Sequence, residues 1–137
     1  MYSKTVVCGN LGGDPEARYL PSGEMVTNFS VATSEKWTGK DGTPQERVTW
    51  FRVSVFGKAA EACNGYLKKG SRVLVDGTLN PDPKTGNPRI FQKNDGTYGA
   101  SYELRAGTVK FLSSKGESSN GRPAVTEPEE DSIDMPF

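Results

Sequence analysis

The strongest constraint on this chain is its punctuation. Short runs of β-branched and aromatic residues, alternating apolar with polar, are cut repeatedly by Gly, Pro, Asn and Asp. That pattern predicts strands over residues 5–10, 25–33, 48–56, 72–79 and 101–112. One stretch departs from the period of two. Ala59, Ala62, Cys63, Tyr66 and Leu67 fall at i, i+3, i+4, i+7 and i+8, an apolar helix face that Gly70 would terminate.

Five strands with one helix between the third and fourth predict an all-β chain, a β-barrel with one helix. The order matches the five-stranded, partly open Greek-key barrel of the OB-fold, although SH3-like barrels share the strand count. Gly12-Gly13 and Asp14-Pro15 mark a tight turn after the first strand. Residues 37–46, with Gly39 and Gly42, read as a hairpin loop. Residues 80–100 form the longest connection, and a loop of that length is either functional or itself a protruding hairpin. Ile90 to Gln92 and Tyr98 supply its arms around Asn94-Asp95-Gly96.

Composition enters through charge and cysteine. The 137 residues carry 17 Lys+Arg and 17 Asp+Glu, but the balance is +4 over residues 1–112 and −4 over residues 113–137. A mildly basic body is followed by an acidic end. Residues 113–126 are rich in Ser and Gly, and 127–137 are acidic, too poor in apolar side chains to offset the entropy of ordering. The expected organisation is a folded domain over 1–112, a flexible linker over 113–126 and an acidic, disordered C-terminal tail over 127–137. No apolar run approaches a membrane span and no cationic apolar leader follows Met1, so a cytoplasmic protein without a membrane partner is expected. With no histidine, Cys8 and Cys63 cannot build the usual zinc sites, and both are expected as buried thiols.

Function is most legible in residues 48–56, VTWFRVSVF. Phe51, Val53 and Val55 share one face and make a core stripe; Trp50, Arg52, Ser54 and Phe56 share the other. Large rings alternating with a cation suit a platform on which unpaired bases stack while a guanidinium meets phosphate. In the preceding strand Met25, Thr27, Phe29, Val31 and Thr33 turn inward, while the small Asn28, Ser30 and Ala32 would leave a shallow groove beside Trp50. Trp37 is expected near one end of that groove, with Lys36, Lys40, Arg47 and Lys58 close by in sequence. Catalysis is not expected. Histidine is missing, no phosphate loop or carboxylate pair stands out, and Pro15 follows Gly9, Gly12 and Gly13 where a dinucleotide fingerprint would begin a helix. No cofactor or metal is implied.

The end of the chain reads as a second site. Asp131 and Asp134 precede Met135-Pro136-Phe137, a rigid Pro and a terminal ring that fit an apolar pocket rimmed by Arg or Lys.

The segments GNLGGDPEARYLPSG, FSVATSEKW, VTWFRVSVFGKAAE and YLKKGSRVLVDGTL, in this order, closely resemble the bacterial single-stranded DNA-binding family, and the MPF end after an acidic run is similar to that family's tail. The resemblance implies an OB-fold and a homotetramer around which single-stranded DNA wraps without sequence preference. It also implies a nucleoid-associated role in replication, recombination and repair, with partner enzymes recruited through the tail. The family's base-stacking positions match Trp37, Trp50 and Phe56, and a third stacking position falls on Phe91 in an ungapped alignment. Its basic contacts match Lys4, Arg18, Lys40, Arg52, Lys58, Lys69 and Arg89. Residues 80–88 lengthen the hairpin relative to the family pattern. On the residues alone, an OB-fold protein-interaction module and a single-stranded RNA binder remain open.

Overall fold

The computed structural model describes residues 1–113. The linker beyond Ser113 and the tail residues Asp131, Asp134, Met135, Pro136 and Phe137 lie outside the described residues.

The backbone of the fold is a long antiparallel hairpin of β3 (Met25–Thr38) and β4 (Pro44–Phe56), in register from Val26↔Phe56 to Thr38↔Pro44. Both strands run further than their hydrophobic pattern indicates. The segment expected as a loop over 37–46 is mostly ladder, with Trp37 paired to Gln45. Its distal half is polar and solvent-exposed, so no apolar alternation marks it. It is held instead by cross-strand contacts, including an Arg47–Glu35 ion pair at 2.6 Å, and by its turn. Gly39 N–H donates to the Thr43 carbonyl (2.8 Å), Gly42 N–H donates to the Gly39 carbonyl (2.9 Å), and Gly42 takes φ 85°. Asp41 accepts from the Thr43 N–H and hydroxyl, and these bonds hold its carboxyl below the usual range. The same five-residue solution recurs at Lys93–Thr97, where Gly96 has φ 90° and Asp95 accepts from Thr97. Both are type I turns relieved by a left-handed glycine.

Around this hairpin the barrel closes. β1 (Thr5–Leu11) pairs with β5 (Arg72–Leu79), β5 with β8 (Tyr102–Phe111), β8 with β4, and β3 returns to β1 through Asn10↔Ala32 and Leu11↔Val31. This is the expected five-stranded Greek-key barrel. The β4–β8 pairing is parallel, and all the other barrel pairings are antiparallel. Closure needs close approach at Gly9, where a Cβ would strike the Ala32 carbonyl oxygen, and at Gly77, beside the Arg105 carbonyl and a ladder irregularity. The segment expected as a turn after β1 also contains a strand, β2 (Glu16–Tyr19), which runs on along β3. All four of its residues are exposed, so hydrophobic patterning gives no sign of it. β6 (Ile90–Gln92) and β7 (Tyr98–Ala100) form the separate hairpin anticipated in the long connection.

The core gathers Val7, Leu11, Phe29, Val31, Val53, Val55, Val73, Val75 and Leu104 inside the barrel, with Phe51 packed against it. Helix α1 (Lys58–Tyr66) contributes Ala60 and Cys63 to this cluster, Leu67 joins it just past the helix end, and the Thr27 hydroxyl donates to the Ala60 carbonyl at 2.8 Å. Its buried row therefore differs from the expected one. Ala59 and Tyr66 are exposed, because Ala60 rather than Ala59 faces Thr27. The helix also stops earlier than Gly70, since Leu67 turns extended to enter the core while Gly70 (φ 90°) serves the following turn. Of the cysteines, Cys63 is buried, and desolvation pushes its thiol up to about 11; Cys8 is exposed, contrary to expectation, because it lies on the outer side of β1.

Candidate functional site

The alternation in β4 has the consequence its sequence suggests. Val53 and Val55 are buried, while Trp50 and Arg52 are exposed on the opposite face with Ser54 and Phe56 half-buried beside them. Trp50 pairs with Ala32 in the ladder, and half of its surface remains exposed. The edge of its ring abuts Gly12 of the β1–β2 connection, where an added Cβ would come within 2.7 Å of the ring atom Cη2. A glycine is needed there to admit the ring edge. Ser54 donates to Asn28 Oδ1 at 2.7 Å, fixing the small polar floor between the strands.

The long connection brings further residues to this face. Arg89 and Phe91 share with Trp50, Arg52, Ser54, Asn28 and Ser30 an open groove of about 760 Å³. Phe91 is 38% exposed, with its ring edge against Gly99 of the facing strand. Arg89 Nε lies 3.7 Å from Glu103 of β8, an ion pair at the groove wall. Asp14 and Glu16 line the groove as well, so its charge is mixed rather than uniformly basic.

The other sequence-predicted residues are spread around this groove. Phe56 lies at the far end of β4, and the guanidinium carbon of Arg105 sits 4.4 Å from its ring centroid. Lys58 begins α1 just beyond it. Lys69 is drawn to the groove margin, where its backbone N–H donates to Asp14 Oδ1 at 2.8 Å. Arg18 is exposed on β2. Trp37 does not join the groove. By strand alternation it continues the side of Phe29 and Val31, and it lines a separate shallow site of about 480 Å³ with Lys36 and Gln45. Its ring, 44% exposed, lies 5.3 Å from the Arg47 guanidinium. Lys40 occupies the turn next to it. Lys4 lies away from the groove, paired with Asp76 of β5 at 2.8 Å, and that hydrogen bond and charge raise its pKa.

Sequence reasoning missed Arg105 and the acids Asp14, Glu16 and Glu103. The only available signal for Arg105 was its alternation with the apolar Leu104, which turns it outward. Its partner strand was not legible. Among the described residues no group of His, Cys, Asp and Glu could hold a metal ion, and no helix is long and apolar enough to cross a membrane.

Comparison with known proteins adds three findings. Residues 2–112 match the family described as the single-strand binding protein family. Two single-stranded DNA-binding proteins of Neisseria meningitidis, from serogroups A and B, are each 40% identical over 121 residues, 88% of this chain and 66% of theirs. The chain thus spans just under two thirds of the length of these relatives. A solved Plasmodium falciparum SSB complex with ssDNA superposes with a TM-score of 0.67 at 25% identity, covering 82% of this chain and 96% of that one.

Proposed function

The chain belongs to the single-strand binding protein family, and from that premise we propose that it binds single-stranded DNA without sequence preference. The observation that carries the reading is the groove in which Trp50, Arg52, Arg89 and Phe91 converge. Its exposed rings offer π-faces that any base can use, and its guanidinium groups offer charge for phosphate. Stacking on Trp50 and Phe91 supplies most of the affinity, because the body is only mildly basic and the groove includes carboxylates. Trp37, Phe56, Lys40, Lys58, Lys69 and Arg18 extend the path of the strand beyond the groove, and Lys4 joins where the strand wraps the body. The protein is a homotetramer in the cytoplasm, associated with the nucleoid. It protects single strands during replication, recombination and repair, and it recruits partner enzymes through Asp131, Asp134, Met135, Pro136 and Phe137.

The test is a titration of intrinsic tryptophan fluorescence with poly-dT. Quenching that salt reverses is expected, since each neutralised phosphate releases counterions. A flat titration would overturn the proposal in favour of an OB-fold module that docks another protein, and stronger competition by oligo-U than by oligo-dT would favour RNA. Light scattering of the full chain should report four copies. Deleting Met135 to Phe137 should spare DNA binding and abolish capture of replication and repair proteins.

A further inference from the structure

We propose that Arg105 supplies a stacking surface of its own, a guanidinium plane laid over Phe56 on which a base of the bound strand rests. The inference rests on the single-stranded DNA reading and assigns a residue that β4 does not contain. Parallel pairing sets Arg105 opposite Ser54, so its side chain emerges on the face shared by Arg52, Ser54 and Phe56. The guanidinium carbon lies 4.4 Å from the Phe56 centroid, the separation of a cation over a ring. Phe56 is half-buried and Arg105 exposed, so the cation is on the solvent side and a base arriving from outside meets the guanidinium before the ring.

Charge pairing points the same way. Arg47 and Arg89 each have a carboxylate partner, Glu35 and Glu103. Among the described residues Arg105, like Arg18, Arg52 and Arg72, has none. A planar, weakly hydrated guanidinium seated over a ring can stack on a base and still direct its in-plane N–H groups to a phosphate. A lysine ammonium at the same position could meet the phosphate but could not stack. At this end of the site, Phe56 acts as the support and Arg105 as the contact.

The experiment measures binding of labelled oligo-dT to the full chain by anisotropy at several salt concentrations, with R105K, R105A, F56L and F56L/R105K. R105K keeps the charge and loses the plane. It is expected to weaken binding about fivefold at every salt concentration and to leave the salt slope unchanged. R105A is expected to weaken binding further and to flatten the slope by about 0.7, the value for one phosphate contact on a single strand. In the F56L background R105K should cost much less than it does alone, because the support that orients the guanidinium is already gone. Arg105 is exposed, so both single variants should melt with the unaltered chain; were R105A to melt early, R105K carries the test. An R105K chain that binds as tightly as the unaltered one would overturn the inference, as would R105A with unchanged affinity. An unaltered chain that fails to bind oligo-dT overturns the single-stranded DNA reading and this inference together.

Discussion

Replacing Gly12 with Ala tests whether Trp50 acts through a ring held in one orientation. The substitution adds one methyl group at an exposed position, and an ideal Cβ there would fall 2.7 Å from Trp50 Cη2 and closer still to the neighbouring ring carbon. Contacts that short cannot persist. Gly12 is not among the glycines with positive φ, so its backbone accepts alanine, and the Trp50 ring must move instead. The ring is half exposed and has solvent to move into. The effect on folding is therefore small. Alanine lowers the entropy of the unfolded chain, worth about 0.4 to 1 kcal/mol, and loss of the ring's contact with the connection removes a similar amount. The effect on binding is larger, because a displaced ring forfeits a base stack worth ~1–3 kcal/mol, or about 5- to 150-fold in affinity. The expected outcome in oligo-dT anisotropy is a loss within that range, with a melting temperature within about 4 °C of the unaltered chain. In a W50A background the same substitution should change affinity little. Unchanged binding by G12A, or an equal further loss on top of W50A, would refute the reasoning.

Three further outcomes are expected. Leu104 is fully buried where β8 meets β4, so Leu104→Ala should destabilise the fold by about 2–5 kcal/mol in a denaturant titration, and a loss below 1 kcal/mol would contradict its place in the core. The Thr97 hydroxyl and N–H lower the Asp95 pKa below its ordinary value of 3.8, so this group stabilises the turn above the unfolded pKa, and the contribution fades as pH falls through the folded pKa. In Thr97→Val the Asp95 titration followed by NMR should move up toward 3.8, and no movement would discount the hydroxyl contact. Burial pushes the Cys63 thiol up to about 11, so at pH 8 a thiol reagent should label at most one cysteine per chain until denaturant is added, and rapid labelling of two would contradict the packing of α1.

The limits of sequence reading fall at identifiable residues. Strands bounded by one dry face were legible, since Val53 and Val55 alternate with Arg52 and Ser54. Strands exposed on both faces were not. β2 and the distal half of the β3–β4 hairpin carry no apolar period, and they are held by pairing, turn hydrogen bonds and an ion pair. In α1, periodicity cannot choose between adjacent alanines, and the contact of Thr27 with Ala60 selects the row. Cys8 was expected inside because cysteine is commonly buried, yet it takes the outward parity of β1.

By itself the sequence determined which side chains of β4 would be dry and which would face outward, because alternation follows from the covalent geometry of an extended backbone. It also determined the five strands that close the barrel, the helix between the third and fourth of them, and the hairpin of the long connection, though not β2. Only the tertiary structure decided that β8 would lie parallel to β4 and bring Arg105 over Phe56, that Gly12 would support Trp50, and that Phe91 would reach the groove while Trp37 would not. These neighbours are joined by barrel closure between segments distant in the chain. That closure is set by packing the whole core, so no local pattern of residues encodes it.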